Sequence, residues 1–331
     1  MVATENFAGV ERYVAYVAPL LANAGWDVTV IGGNPDAMTR ALGDSVRHIP
    51  ARSAVDVAIQ VVKLGRGHRV IHAHMTAAEF GILVARPLGA TLVSTRHFAA
   101  HRGSTIAAKV AGRLTTQLLA AQVSISQFVA DAIHESSLLI PNGVPDAATH
   151  SMRPHRVLVA QRMEAEKDSR VALQAWAACG LANQGWSLAF AGRGSEELQL
   201  RVLARELGVT DSVTFLGFVE DLAHEMERSA IFLATALAEP FGLSVVEAMA
   251  CGLPVVASGS GAHRETVGAV APELLFAPGD VSACAALLHM VAAEIDQCAW
   301  GDRLRAYQQE RFSLNGHVLQ LVALYDRLLV G

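Results

Sequence analysis

The sequence predicts an α/β protein built from two doubly wound, parallel-sheet domains. Short apolar, β-branched runs alternate with helix-length segments along most of the chain, the pattern of strands joined by crossover helices. A turn-rich break, Ile140-Pro-Asn-Gly-Val144, interrupts that alternation, which then restarts. The length of 331 residues accommodates two domains of roughly 150 residues each, with sizeable cores.

In the first half, Val10–Ala24 reads as a helix closed by Gly25, and Trp26–Ile31 as a strand. Helix Ala54–Leu64 precedes strand Val70–His72, and helix Ala77–Arg86 precedes strand Thr91–Thr95. Helix Thr105–Leu119, strand Gln122–Ile125 and helix Gln127–His134 complete the series. A doubly wound sheet needs a full strand before its first glycine loop, yet only Val2–Thr4 precede Gly9. The expectation is a first strand cut short, with the true start upstream. The second half gives strands at Arg156–Ala160, Ser187–Ala191, Val213–Leu216 and Ile231–Thr235. Helices at Ser169–Ala178, Ser195–Leu207 and Asp221–Arg228 alternate with them, and further helices run from about Val281 to the end.

Composition narrows the function classes. The chain is 52% apolar and carries a net charge of −5, so it has no general attraction to nucleic acid. Cys179, Cys251, Cys284 and Cys298 show no pairing pattern and no C-x-x-C spacing, which favours a reducing compartment and gives no zinc site. No long charge-free apolar run and no signal peptide is present, so a cytoplasmic setting is expected.

The most informative stretch is Glu239-Pro-Phe-Gly-Leu-Ser-Val-Val-Glu-Ala-Met-Ala-Cys-Gly-Leu-Pro254. It reads as loop, short helix, turn and strand, with Gly252 as the helix stop. Amides near Gly242–Ser244 would be unpaired within the helix and suit a phosphate. Glu239 falls in the loop and Glu247 one turn into the helix, placed so that one carboxylate can meet a sugar and the other ribose hydroxyls. Two solvated acids on a surface loop and helix are the alternative.

The whole string resembles the signature of glycosyltransferase family 4, retaining enzymes of the GT-B fold. The resemblance rests on Glu239, Phe241, Gly242, Leu243 and Glu247, and extends along nearly the whole chain. It implies two facing Rossmann-like doubly wound domains with a cleft between them. Residues 1–148 would bind the acceptor and 149–312 the nucleotide-sugar donor, while the last helix, 313–331, packs back on the first domain. It further implies that Glu239 faces the donor sugar and Glu247 the nucleotide ribose. Ile140–Val144 is similar to the family's interdomain linker.

Arg162 and Lys167 are spaced like the family's two cations that clamp the donor diphosphate, a leaving group that gains charge as the glycosidic bond breaks. Gln161 and Asp168 stand where the family has glycines. Gly192, in Ala191-Gly-Arg-Gly-Ser195, resembles a donor-binding glycine turn, for which tight packing is an equal reading. Val219 stands where the family's backbone meets the nucleobase, and Gly261-Ala-His-Arg-Glu265 matches a further family segment imperfectly. Gly9 opens a helix and lets its backbone approach a phosphate or sugar. His97, in Ser-Thr-Arg-His, matches a position near the reacting sugar. His72, His74 and His97 lie at strand ends but lack any compact metal-ligand spacing.

Residues 96–113 interleave Arg96, His97, His101, Arg102, Lys109 and Arg113 with Ile106, Val110 and Leu114. They read as a solvated basic helix face that attracts an anionic acceptor, with weak contact to an anionic membrane surface as the other reading. The expected activity is retaining transfer of a sugar from a nucleoside-diphosphate donor, a UDP-sugar, to an acceptor hydroxyl. No metal or cofactor is expected, because fixed cations serve the diphosphate and no Asp-x-Asp occurs. The alternatives are a sugar-nucleotide epimerase of the same architecture and a catalytically silent sugar-nucleotide-binding subunit. A dehydrogenase lacks its strand–G-x-G-x-x-G–helix unit.

Overall fold

The computed structural model of the chain describes residues 1–5, 7–100, 102, 112, 115–148, 154–294 and 298–330. The chain forms two compact units, one of Met1–Val144 with Ser313–Gly331 and the other of Pro145–Phe312.

In the first unit, strands β1 (Thr29–Ile31) and β2 (Arg47–Ile49) pair in parallel. Strands β3 (Val70–Ala73), β4 (Thr91–Arg96), β5 (Ala121–Ser124) and β6 (Leu138–Leu139) pair in parallel in that order. Residues 1–4 bridge the two groups. The Val2 amide donates to Ile31 O at 2.9 Å and the Gly33 amide to Thr4 O at 2.8 Å, while the His74 amide donates to Met1 O at 3.0 Å. This short piece, with Val2 fully buried, occupies the mid-sheet place where the sequence calls for a first strand.

Helix α1 (Gly9–Asn23) follows it; its start is closed by the Glu11 carboxylate, which accepts from the Ala8 amide at 2.9 Å. Helix α2 (Pro35–Leu42) begins where Asn34 Oδ1 accepts from the Ala37 amide at 3.1 Å, with Pro35 at the first helical position. Helices α3 (Ala54–Leu64) and α4 (Thr76–Ile82) bury Val57, Val61 and Ile82 against Ile31, Ile71 and Leu92. Helix α5 (Gln127–Ile133) precedes β6.

The second unit holds one sheet of strands β7 (Arg156–Ala160), β8 (Ser187–Ala191), β9 (Val213–Gly217), β10 (Ile231–Ala234), β11 (Val255–Ser258) and β12 (Leu275–Phe276). All pairs are parallel, and the spatial order is β12-β11-β10-β7-β8-β9. Every residue of β10 and β11 is buried, as expected of strands covered on both faces by helices. Helices α6 (Ser169–Cys179), α7 (Glu197–Glu206), α8 (Leu222–Glu227), α9 (Leu243–Ala250), α10 (Val281–Ala293) and α11 (Cys298–Arg311) provide the cover. The last helix, α12 (Leu314–Val330), belongs to the first unit, where the His317 ring donates from Nδ1 to Pro141 O at 2.7 Å.

One expectation needs correction. Arg96 and Arg102, read from the sequence as part of a basic solvated face, are 5% and 2% exposed. Arg102 Nε meets Glu79 Oε2 at 2.5 Å, and the same guanidinium reaches Gln122 Oε1 and Glu135. Arg96 donates to Ala100 O at 2.5 Å. Burial of Glu79 demands an internal cation, and these arginines supply structure rather than surface charge. His101, Lys109 and Arg113, with helix Thr105–Leu119 up to residue 111, lie outside the described residues. Among the described residues no helix is long and apolar enough to cross a membrane.

Candidate functional site

In chain order the sheet of the second unit runs 3-2-1-4-5-6, and its order reverses between β7 and β10. Open parallel sheets bind ligands beyond the carboxyl ends of the strands at such a reversal. The loops that leave those two strands carry Lys167 and Glu239.

They meet there. Lys167 Nζ lies 2.6 Å from Glu239 Oε2, and the two side chains are 16% and 15% exposed. The loops are tied behind the pair. Thr235 Oγ1, just past β10, donates to Lys167 O at 2.8 Å, and the Leu237 amide donates to Glu166 O at 3.0 Å. Gln161 Nε2, just past β7, stands 2.9 Å from Lys167 O, 3.0 Å from Ser169 Oγ and 3.1 Å from Thr235 Oγ1. Gln161 therefore braces the loop that carries Lys167. Asp168 adopts φ 47° and ψ 47°, a left-handed conformation that glycine takes at less cost.

A third strand supports the Glu239 loop. Past β11, Gly261 lies at φ +51°, where an added Cβ would come 2.3 Å from Glu239 O; the neighbouring Ala262 amide donates to that same oxygen at 2.9 Å. Ser258 Oγ and Ser260 Oγ donate to Ala236 O at 2.5 and 2.6 Å. His263 completes the wall with Nδ1 3.0 Å from Ser258 O. Burial pushes its pKa down, the Glu239 carboxylate opposes that, and the Lys167 ammonium adds to it.

The other expected residues divide clearly. Gly242, buried at φ +84°, is the N-cap of α9, so Leu243 and Ser244 present first-turn amides near Glu239. Glu247, half-buried, falls one turn into α9. Phe241 is 3% exposed and packs edge-on against Phe312 at 5.7 Å, anchoring the loop from inside. Arg162 is not brought to the pair. It is exposed, with Nη2 2.5 Å from Glu166 Oε1. Gly192 is a packing glycine, since an added Cβ would come 2.0 Å from Gln161 O. Val219 lies half-buried after β9.

In the first unit, Gly9 is exposed at the start of α1, and His97 is buried beyond β4. His97 Nε2 lies 3.3 Å from His74 Nδ1, and its ring sits edge-on to Tyr13 at 5.0 Å. Burial, with His317 nearby, pushes its pKa down to about 3. His72 is held by Tyr325 at 2.6 Å and Thr95 at 2.8 Å. Among the described residues no group of three or more His, Cys, Asp or Glu is placed to hold a metal ion.

Within the second unit, the Lys167–Glu239 pair, the first-turn amides of α9 and the buried His263 imidazole have the chemistry to meet a polar anion bearing hydroxyls, with cation and amides suited to phosphate and carboxylate suited to hydroxyls. The sequence marks Gln161 only as a departure from a family glycine and His263 only as part of Gly261-Ala-His-Arg-Glu265, with a role for neither.

Comparison with known proteins shows what this chain is similar to. Residues 146–297 match the family model described as glycosyl transferases group 1. A 2-deoxystreptamine glucosyltransferase of Streptomyces kanamyceticus is 36% identical over 37% of this chain and 32% of its own, so the match spans about a third of that relative. A glycogen synthase of Mycobacterium tuberculosis is 28% identical over 91% of this chain and 86% of its own. The crystal structure of Anabaena HepE in complex with UDP-glucose superposes with a TM-score of 0.82 at 20% identity, covering 98% of each chain. Residues 146–297 thus resemble group 1 glycosyl transferases over somewhat less than half of the chain, and the chain has the GT-B fold, with two Rossmann-like α/β domains.

Proposed function

We propose that the chain is a retaining glycosyltransferase that moves a sugar from a UDP-sugar to an acceptor hydroxyl without a metal ion. The observation that carries this reading is the Lys167–Glu239 pair at the strand-order reversal of the second unit. HepE in complex with UDP-glucose and the group 1 family match support it. The second unit holds the donor and the first the acceptor. Lys167 and the amides of Leu243 and Ser244 receive the diphosphate, whose charge grows as its bond to the sugar breaks. Glu239 faces the sugar ring, which becomes electron-poor in the same step, and Glu247 holds the ribose. Arg162 turns from Glu166 to the diphosphate when the donor binds. Attack and departure share one face of the sugar, so the anomeric configuration is kept.

The test is turnover of UDP-glucose, followed as release of UDP in the presence and absence of excess EDTA, with NMR of the anomeric coupling in the product. UDP release that survives chelation and a retained anomeric configuration are expected. Loss of turnover restored by Mg²⁺ or Mn²⁺, or an inverted linkage, overturns the reading.

A further inference from the structure

In the Lys167–Glu239 site, the chemistry of the His263 ring is left unfinished among the described residues. Its Nδ1 faces Ser258 O at 3.0 Å, and a carbonyl only accepts, so the ring hydrogen sits on Nδ1. Nε2 then carries a bare lone pair. It is fully buried and has no hydrogen-bond partner among the described residues. A buried polar atom left in this state is costly, and such atoms persist mainly where a functional state completes them.

The position of the orphan is informative. Gly242 has no side chain, and a Cβ built there would stand 3.4 Å from His263 Nε2 and 3.3 Å from Glu239 Cγ. The His263 imidazole and the Glu239 side chain therefore flank one small space that the glycine leaves open. Glu239 currently faces Lys167 instead, at 2.6 Å. If the proposed function holds, a nucleoside diphosphate competes for that ammonium with a larger charge than one carboxylate carries. Glu239 is then left in a largely desolvated place without its cation, an expensive state unless another proton donor replaces it.

We infer that His263 is a positioning residue for Glu239: on diphosphate binding, Nε2 takes a proton from solvent and donates it in a hydrogen bond to the Glu239 carboxylate. One N–H bond forms, the proton comes from water or buffer, and nothing is oxidised or reduced. Nδ1 keeps its bond to Ser258 O throughout, which fixes the ring plane. The charged groups that act on this ring are Glu239, which favours the imidazolium, and Lys167, which disfavours it. Covering the ammonium with a diphosphate weakens the second influence and leaves the first. Glu239 thereby exchanges one cationic partner for another and stays aimed at the sugar.

This inference rests on the donor reading, so the experiment separates the two. Protein labelled with ¹⁵N-histidine is titrated at pH 6.5 with UDP, GDP, ADP and dTDP in turn. His263 is assigned by the signal lost in His263→Asn, a change that keeps a donor for Ser258 O and removes the ε nitrogen. A bare Nε2 is expected in the free protein and a protonated one with the nucleotide bound. His263→Asn should bind that nucleotide nearly as wild type does but turn over about tenfold more slowly, and His263→Gln, which restores a hydrogen-bonding group at the ε position, should recover part of the loss. A nucleotide that binds while Nε2 stays bare overturns the role of His263 alone. So does a slowed turnover that Gln deepens rather than relieves. Failure of the wild type to bind any of the four overturns the donor reading, and this inference with it.

Discussion

Replacing His317 by asparagine should blunt the response of the first unit to acid. In the folded chain His317 donates from Nδ1 to Pro141 O at 2.7 Å and, through its Nε2 lone pair, accepts from the Tyr13 hydroxyl at 2.7 Å. Both bonds suit the neutral ring, and burial pushes its pKa down to about 4. In the unfolded chain the ring titrates near the ordinary value of about 6.5. The folded pKa is the lower one, so this contribution to stability is complete above the unfolded value and is lost as pH falls toward the folded one. A gap from about 6.5 to about 4, at about 1.4 kcal/mol per pH unit, is worth about 3.4 kcal/mol in all, and about 2 kcal/mol of it falls between pH 7 and pH 5. Asparagine keeps a donor for Pro141 O and cannot titrate. Urea unfolding at the two pH values is the assay, followed through Trp26 in fluorotryptophan-labelled protein. Trp26 lies in the first unit, with its ring 5.3 Å from Tyr325 of α12, whereas Trp176, Trp186 and Trp300 lie in the second. Wild type should lose about 2 kcal/mol more than the variant on going from pH 7 to pH 5. An equal loss in both proteins would refute the reasoning.

Glu239→Gln should lower kcat on the order of 10²-fold, the usual size for one charge-stabilising contact made in the transition state. Glu247→Gln should instead weaken nucleoside-diphosphate binding by about 1.5–3 kcal/mol, read by calorimetry, and an exchange of these two behaviours would reverse the placement of the donor. Asp168→Gly should raise stability by up to about 1 kcal/mol in urea unfolding, because it relieves a non-glycine residue held in the left-handed region. Arg102→Met strands Glu79, which is 1% exposed, so a loss of about 3–5 kcal/mol from the first unit is expected in the same assay.

How far the sequence could be read depended on where the signal is local. Strands Arg156–Ala160 and Ser187–Ala191 and helices Ala54–Leu64 and Leu243–Ala250 fall where periodicity and flanking glycines place them. In those segments burial pattern and turn chemistry agree. Helix α2 and strand β2 were not legible. They are short, they are surrounded by glycine and charged residues, and only Asn34-Pro35 announces the helix. Lys167 and Glu239 were legible as motif residues, but their contact is not, since 72 residues separate them. The same holds for His263, whose environment comes from β11 packing beside β10. Arg102 misled because its neighbours in sequence are basic. Its partners, Glu79 and Gln122, lie in other elements and carry no mark of it locally.

The first unit is not continuous in sequence, and this sets an order of assembly. Val144 and Ser313 lie side by side as a parallel bridge, and the Leu314 amide donates to Val144 O at 3.0 Å. The residues between them form the whole second unit. During synthesis the ribosome therefore delivers a complete second unit before the first can close. At about 5–20 residues per second that wait is on the order of tens of seconds. Through it, Tyr13 and His72 lack His317 and Tyr325, the partners that α12 brings. The amino-terminal half of the chain is made first and finished last, and its unfilled core is the surface a nascent chain has to shield in the meantime.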